Sequence, residues 1–155
     1  MNIFTRSVFP LFLLVAAGLT QAQTRTDIRA GTMKMVQGQT TVATPGGERE
    51  LQPGDAVTTA DRISTGANSG ASFVLRDGTT MVLGANSHVE LTNFAYDPTT
   101  QEGNVLVSVL RGTMRMLTGL IGKTRPESIK VITPTSTIGI LGTDFIVQVT
   151  PGDTP

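Results

Sequence analysis

Apolar and polar positions alternate over short stretches of this chain, and glycine-rich turns interrupt them every few residues. The stretches Ala71–Leu75, Thr80–Leu83, His88–Thr92, Arg111–Leu117, Ser128–Ile132 and Phe145–Val149 each match a period of two, the pattern of a half-buried strand. Val89 and Leu91 are set to face inward. Val105–Leu110 is apolar at nearly every position, which predicts a strand covered on both faces. Turns are predicted at Gln37-Gly38, Thr44–Gly47, Pro53-Gly54-Asp55 and Asp77-Gly78, and a surface hairpin loop at Asp97–Gly103. Met33, Met35, Met81, Met114 and Met116 read as core filler. A helix fits only at Leu117–Gly122, where Gly119 and Gly122 argue against it.

One internal repeat adds to this picture. Gly66-Ala67-Asn68-Ser69 recurs as Gly84-Ala85-Asn86-Ser87, and identical loops one period apart suggest stacked turns. The fold expected is all-β, with many short strands and Gly/Thr turns; a β-solenoid-like coil is preferred and a β-sandwich is the alternative. Gly-Thr steps at Gly31, Gly78, Gly112 and Gly142 each precede an apolar run and read as turns that open strands. Thr133–Phe145 joins two strands through Pro134, which has no N–H to offer a ladder, and through Gly139 and Gly142. Those glycines are expected to supply positive φ or close backbone approach, so a branched side chain at Gly142 should impair folding.

The ends set the boundaries. Arg6 followed by the apolar run Val8–Leu19 and by Thr20-Gln21-Ala22 has the layout of a cleavable secretory signal, with cleavage after Ala22. An uncleaved anchor is the alternative. The chain is thus divided into a signal peptide at 1–22, a polar arm at 23–30, a β domain at 31–150 and a short tail at 151–155. Cleavage removes one arginine and no acid, which shifts the net charge from zero to −1. That balance leaves no electrostatic footprint for nucleic acid. The chain has no cysteine, so disulfides play no part in an oxidising destination. The protein is placed in the periplasm or outside the cell, with no stable membrane span after cleavage.

Candidate chemistry is sparse. His88 is the single histidine, and a lone histidine makes a poor metal site. Asp55, Asp61, Asp77 and Asp144 form the best carboxylate set, but most adjoin glycine or threonine, where aspartate caps turn amides. No Asp-x-Asp-x-Asp run, Gly-x-Ser-x-Gly elbow or phosphate loop is present. No catalytic, cofactor-binding or metal-binding residue is therefore assigned, and the protein is read as a non-enzyme without a cofactor. Arg111, Arg115, Lys123, Arg125 and Lys130 form a mild basic cluster that either touches a partner or guards a solvated strand edge.

Taken together, certain motifs resemble the FecR domain, the periplasmic part of ferric-citrate signalling regulators. They are Leu51–Asp55 with Gly54, Asp61–Gly66, Ala71–Leu75 with Asp77, Gly78 and Thr79, Leu83-Gly84 with Asn86-Ser87, and Arg111-Gly112. The string closes with Thr133, Pro134, Ile138-Gly139-Ile140, Gly142, Thr143, Asp144 and Phe145. The resemblance implies a non-enzymatic extracytoplasmic β module that works by protein contact. Three departures are visible. A signal segment stands where those regulators carry a cytoplasmic anti-sigma segment, Leu141 stands where arginine is frequent, and Pro155 comes where relatives continue with more strands. An open sheet edge is the expected consequence. The expected partner is another envelope protein, with a membrane receptor or sensor contacted in trans as the regulatory version. A carbohydrate-binding module would need exposed aromatics, and the chain has one tyrosine and no tryptophan.

Overall fold

The computed structural model describes residues 29–150, so the signal segment, the 23–28 part of the arm and the tail lie outside the described residues. Twelve strands form: β1 (Arg29–Gln37), β2 (Thr40–Thr44), β3 (Gly47–Glu50), β4 (Ala56–Thr58), β5 (Arg62–Thr65), β6 (Gly70–Leu75), β7 (Thr80–Leu83), β8 (His88–Tyr96), β9 (Gly103–Leu117), β10 (Ile129–Ile132), β11 (Thr137–Gly139) and β12 (Asp144–Val149). The all-β expectation holds. The strands make one folded sheet that curls into a half-barrel. One half runs β4-β1-β6-β7-β9-β12 and the other β3-β2-β5-β8-β9-β10-β11, with long β9 belonging to both. Inward side chains meet between the halves. Met33, Phe73, Leu75, Met81, Leu83, Met114 and Met116 come from the first half, and Val42, Ile63, Val89, Leu91, Val107, Val109, Ile129 and Val131 from the second. Each such apolar side chain contributes roughly 1.5–3 kcal/mol on burial.

The fold line between the halves is built by the repeat. The chain passes from one half to the other at Gly38 between β1 and β2, at residues 66–69, at residues 84–87, and at Gly112 within β9. Ser69 Oγ accepts the Gln39 amide at 3.0 Å, and Ser87 Oγ accepts the Thr113 amide at 3.0 Å. In return the amides of Gly66 and Gly84 donate to Gln39 O and Thr113 O, each at 2.9 Å. The two Gly-Ala-Asn-Ser loops thus grip equivalent corners of β1/β2 and β9. Asn68 and Asn86 take left-handed φ of 56° and 52°, a conformation asparagine tolerates. The loops also bond to each other through Asn86 N to Gly66 O at 3.1 Å, and Ser87 N donates to Thr65 Oγ1 at 2.9 Å. The stacked turns predicted from the 18-residue spacing are therefore present. The chain reverses direction between layers, so neighbouring strands are antiparallel, apart from the parallel pair β9–β10.

Several local expectations change. A parallel pair needs a crossover, and the connection from β9 to β10 supplies it with a short helix, α1 (Leu120–Thr124), and a 3₁₀ turn at Pro126–Ser128. Glycine inside α1 is a packing requirement, because a Cβ on Gly122 would run into Thr118 and the Ile129 side chain. Met35 is not core filler but half-exposed, since the register shift between Met33 and Met35 turns it outward. β9 is covered on one face only: Val105, Val107 and Val109 are buried, while Leu110 is exposed. Of the Gly-Thr steps, Gly31 lies inside β1 and opens no turn, and Arg29 and Ala30 belong to β1 and not to the arm.

Glycine is needed at Gly112 and not at Gly142. Gly112 has φ of 84°, and a Cβ there would overlap the Cα and hydroxyl of Ser87. Gly139 and Gly142 have neither a positive φ nor any atom within 4 Å of a built Cβ, contrary to expectation. Gly112→Val should therefore cost about 2 kcal/mol or more. Gly142→Val should stay within about 0.5 kcal/mol of wild type. Urea unfolding midpoints of the two variants measure the contrast.

Candidate functional site

Most of the aspartates singled out by sequence are turn caps. Asp61, buried, accepts the Thr58 amide at 2.7 Å and the Thr58 hydroxyl at 2.9 Å. Asp77, also buried, accepts the Thr79 amide at 3.0 Å and its hydroxyl at 2.7 Å across Gly78, whose φ is 87°. The same Thr79 oxygen accepts the Gly119 amide at 2.9 Å, tying this turn to the entry of α1. Asp55 accepts Arg49 at 2.6 Å and the Gln52 amide at 3.0 Å, next to Gly54 with φ of 94°. The Arg49 guanidinium, then the Gln52 amide, hold its carboxyl below the ordinary aspartate value. The four aspartates sit in separate places, and among the described residues no group of three or more His, Asp or Glu could hold a metal ion. His88 lies half-buried on β8 with Nδ1 3.0 Å from Ser87 O.

The closing signature splits in two. Thr133 and Pro134 form the β10–β11 turn, where Thr133 N donates to Ser136 O at 2.8 Å. Thr143 O accepts the Thr118 amide at 2.9 Å, continuing the β9–β12 ladder, and Phe145 packs half-buried on the core. Asp144 opens β12 and makes a two-point pair with Arg115, Nε to Oδ1 at 2.9 Å and Nη2 to Oδ2 at 2.6 Å. Hydrogen bonding from Arg115 lowers the Asp144 carboxyl, and the same bond raises Arg115.

The basic cluster does not assemble into one surface. Arg115 is taken by Asp144, and Arg125 pairs with Glu102 beside the hairpin loop. Lys130 borders a separate cavity of about 250 Å³ near Asn93 and Glu127, and Lys123 lies in α1. Arg115 and Lys130 lie in strands paired on both sides, whereas Arg111 stands opposite His88 of β8, between the stretches of β9 that pair with β10 and β12. Arg125 borders an open cavity of about 570 Å³ with Tyr96 and Asp97. Arg111 lines a cavity of about 400 Å³ with Ala85, Asn86, Thr113 and Gln148, at the end of the corner row. A second groove of about 290 Å³ runs between β11 and β12, lined by Thr133, Ser136, Ile138, Ile146 and Val147. Gln148 and Val149 border both, so the two cavities form one open side along β12.

Residues on this side that sequence reasoning passed over are Leu141, Ile146 and Gln148. Leu141 is 89% exposed and Ile146 is 64% exposed, the largest apolar exposures among the described residues. The signal was available: Phe145, Ile146 and Val147 are consecutive in a strand, so they cannot all face inward. The site offers strand edge, apolar side chains and amide groups, the materials of protein contact.

Fold and site together describe a folded β-sheet module with an open side along β12. The family model described as FecR protein matches residues 61–155, and the chain belongs to the FecR family. The match takes in both Gly-Ala-Asn-Ser loops, the Gly112 corner and the closing signature, and it begins after the Leu51–Asp55 turn. FecR is a regulatory, non-catalytic family associated with the cell envelope. No curated protein and no solved structure matches the chain.

The Asp144–Arg115 pair gives a pH prediction. The folded carboxyl titrates below its unfolded value, so the ionised pair stabilises the fold above about pH 4 and that contribution is lost as pH falls further. The pair is exposed, so the effect is small. Asp144→Asn should lower the melting temperature slightly at pH 7, and the difference should shrink progressively as pH falls below about 4. A difference that stays constant with falling pH would show that Asp144 acts by some other means.

Proposed function

We propose that this protein is an exported regulatory component of the bacterial envelope that works by binding another envelope protein, without catalysis. The observation that carries this reading is the FecR match over residues 61–155. The open side along β12, with its exposed Ile146 and Leu141, supports contact as the mode of action. Export rests on the Arg6, Val8–Leu19 and Thr20–Ala22 layout, which gives a mature chain beginning at Gln23 in the periplasm or outside the cell. No helix among the described residues is long and apolar enough to cross a membrane. A carbohydrate-binding reading finds less support, since Phe73 and Phe94 are buried and Tyr96 and Phe145 pack against the core.

Two measurements test the proposal. N-terminal sequencing of the exported protein should begin at Gln23, and a chain still beginning at Met1 would contradict cleavage. A photo-crosslinking residue at Arg111 or Lys130 in living cells should capture a membrane receptor or sensor. Recovery of no envelope protein from either position would sink the regulatory reading.

A further inference from the structure

Among the described residues four strands bound the folded sheet: β3 and β11 in one half, β4 and β12 in the other. Three carry a device that discourages pairing with another chain. β3 holds Glu48, Arg49 and Glu50, all exposed, while β4 and β11 are three residues long. β12 has none of these protections. It is six residues long, with no lysine, proline or bulge, and its one charge is neutralised by Arg115. Four of the six large apolar side chains exposed among the described residues gather around it: Ile146 within it, Leu141 just before it, and Leu117 and Leu120 at the end of its β9 partner.

The hydrogen-bond phase of β12 follows from its neighbour. Thr118 donates to Thr143 O, and the register continues from Asp144↔Leu117 to Val149↔Gly112. Bonded and non-bonded pairs alternate in an antiparallel ladder. The backbone groups of Phe145, Val147 and Val149 therefore face β9, while those of Asp144, Ile146 and Gln148 face the free edge. Thr113, the register partner of Gln148, agrees with this phase: its carbonyl accepts Gly84 N on the side away from β12.

We infer that this edge pairs with β12 of a second copy, antiparallel about a two-fold axis at Ile146. In that register Ile146 lies opposite Ile146 of the second copy, and Asp144 lies opposite Gln148 of the second copy in both directions. All three are residues with backbone groups on the edge, so the ladder closes with about six hydrogen bonds. Phe145 meets Val147 of the second copy on the inner face, and the two isoleucines cover each other on the outer face. Sliding by two residues sets Asp144 against Ile146 of the second copy in one direction and Ile146 against Gln148 of the second copy in the other, so either slide breaks the isoleucine pair. Sliding by four sets Asp144 against Asp144, a like-charge pair, or Gln148 against Gln148. The strand's own sequence thus selects one self-complementary register, and the second copy is the occupant it fits. The contact is small, so association is weak, on the order of micromolar.

The chain has no cysteine, which permits a register-specific test on the full exported protein. Sedimentation of the wild type should show a concentration-dependent dimer. Ile146→Lys should be monomeric with an unchanged circular dichroism spectrum, because the side chain points to solvent. Ile146→Cys should oxidise readily to a disulfide-linked dimer, since opposite Cα atoms about 5.5 Å apart suit the bond. Gln148→Cys should not, because the two copies of that residue lie about 13 Å apart along the strands. A wild type that stays monomeric up to hundreds of micromolar overturns the inference. So do equal cross-linking rates at the two positions. Either failure leaves the envelope-binding proposal standing, since that reading needs no second copy.

Discussion

Two serine hydroxyls hold the architecture in its folded shape. Ser69 and Ser87 end identical four-residue loops, and each accepts the amide that follows a glycine corner, Gln39 after Gly38 and Thr113 after Gly112. Without that acceptor, an amide at a bend where a strand leaves one ladder for another would have no bonding partner close by. A fully buried donor left unpaired costs about 1–3 kcal/mol, and these partly buried amides would lose a share of that. Glycine at the corner allows both the left-handed turn and the approach of the serine, so the two residue types depend on each other. The consequence reaches the whole molecule. Because β1/β2 and β9 bend at corners linked through Thr65 and the two loops, the sheet folds on itself and encloses its core between the halves.

The open side follows from the same construction. Each layer of the fold is a strand pair joined at a corner, and β12 stacks beside β9 as the outermost described strand of its half. The groove toward β11 and the cavity bordered by Arg111 are what remain beside that layer. Exposed Ile146 lies here because it alternates with the inward Phe145 and Val147, and Leu141 stands in the connection just before β12. The proposed contact would use this strand edge and these apolar side chains. It accords with a family whose members regulate without catalysing.

Much of the fold was legible from the amino acids because alternation and turn chemistry are local. The β6–β7 turn at Asp77-Gly78, the hairpin loop after Tyr96 and the inward Val89 and Leu91 all follow from neighbours in sequence. The repeat announced the stacked turns but not their sense, because four residues fix a loop and leave open which way the next strand runs. Met35 and α1 were illegible for related reasons. A bulge at Lys34 reverses the side-chain pattern after Met33, and the glycines of α1 answer to Thr118 and Ile129, which only the tertiary fold brings near. The site was least legible of all. Gly139 and Gly142 mark the family string, yet they stand clear of other atoms, which only the tertiary fold shows, whereas the outward Ile146 follows from its place between Phe145 and Val147.

The claim on which the account rests is that the serine-clamped corners are as firm as the core strands. Amide hydrogen exchange at Gln39 and Thr113 measures it directly. Both amides should exchange as slowly as those within β6 and β8, near the limit set by global unfolding. Exchange at these two positions on the timescale of exposed loops such as Asp97–Glu102 would contradict it, and the folded sheet would then need another explanation.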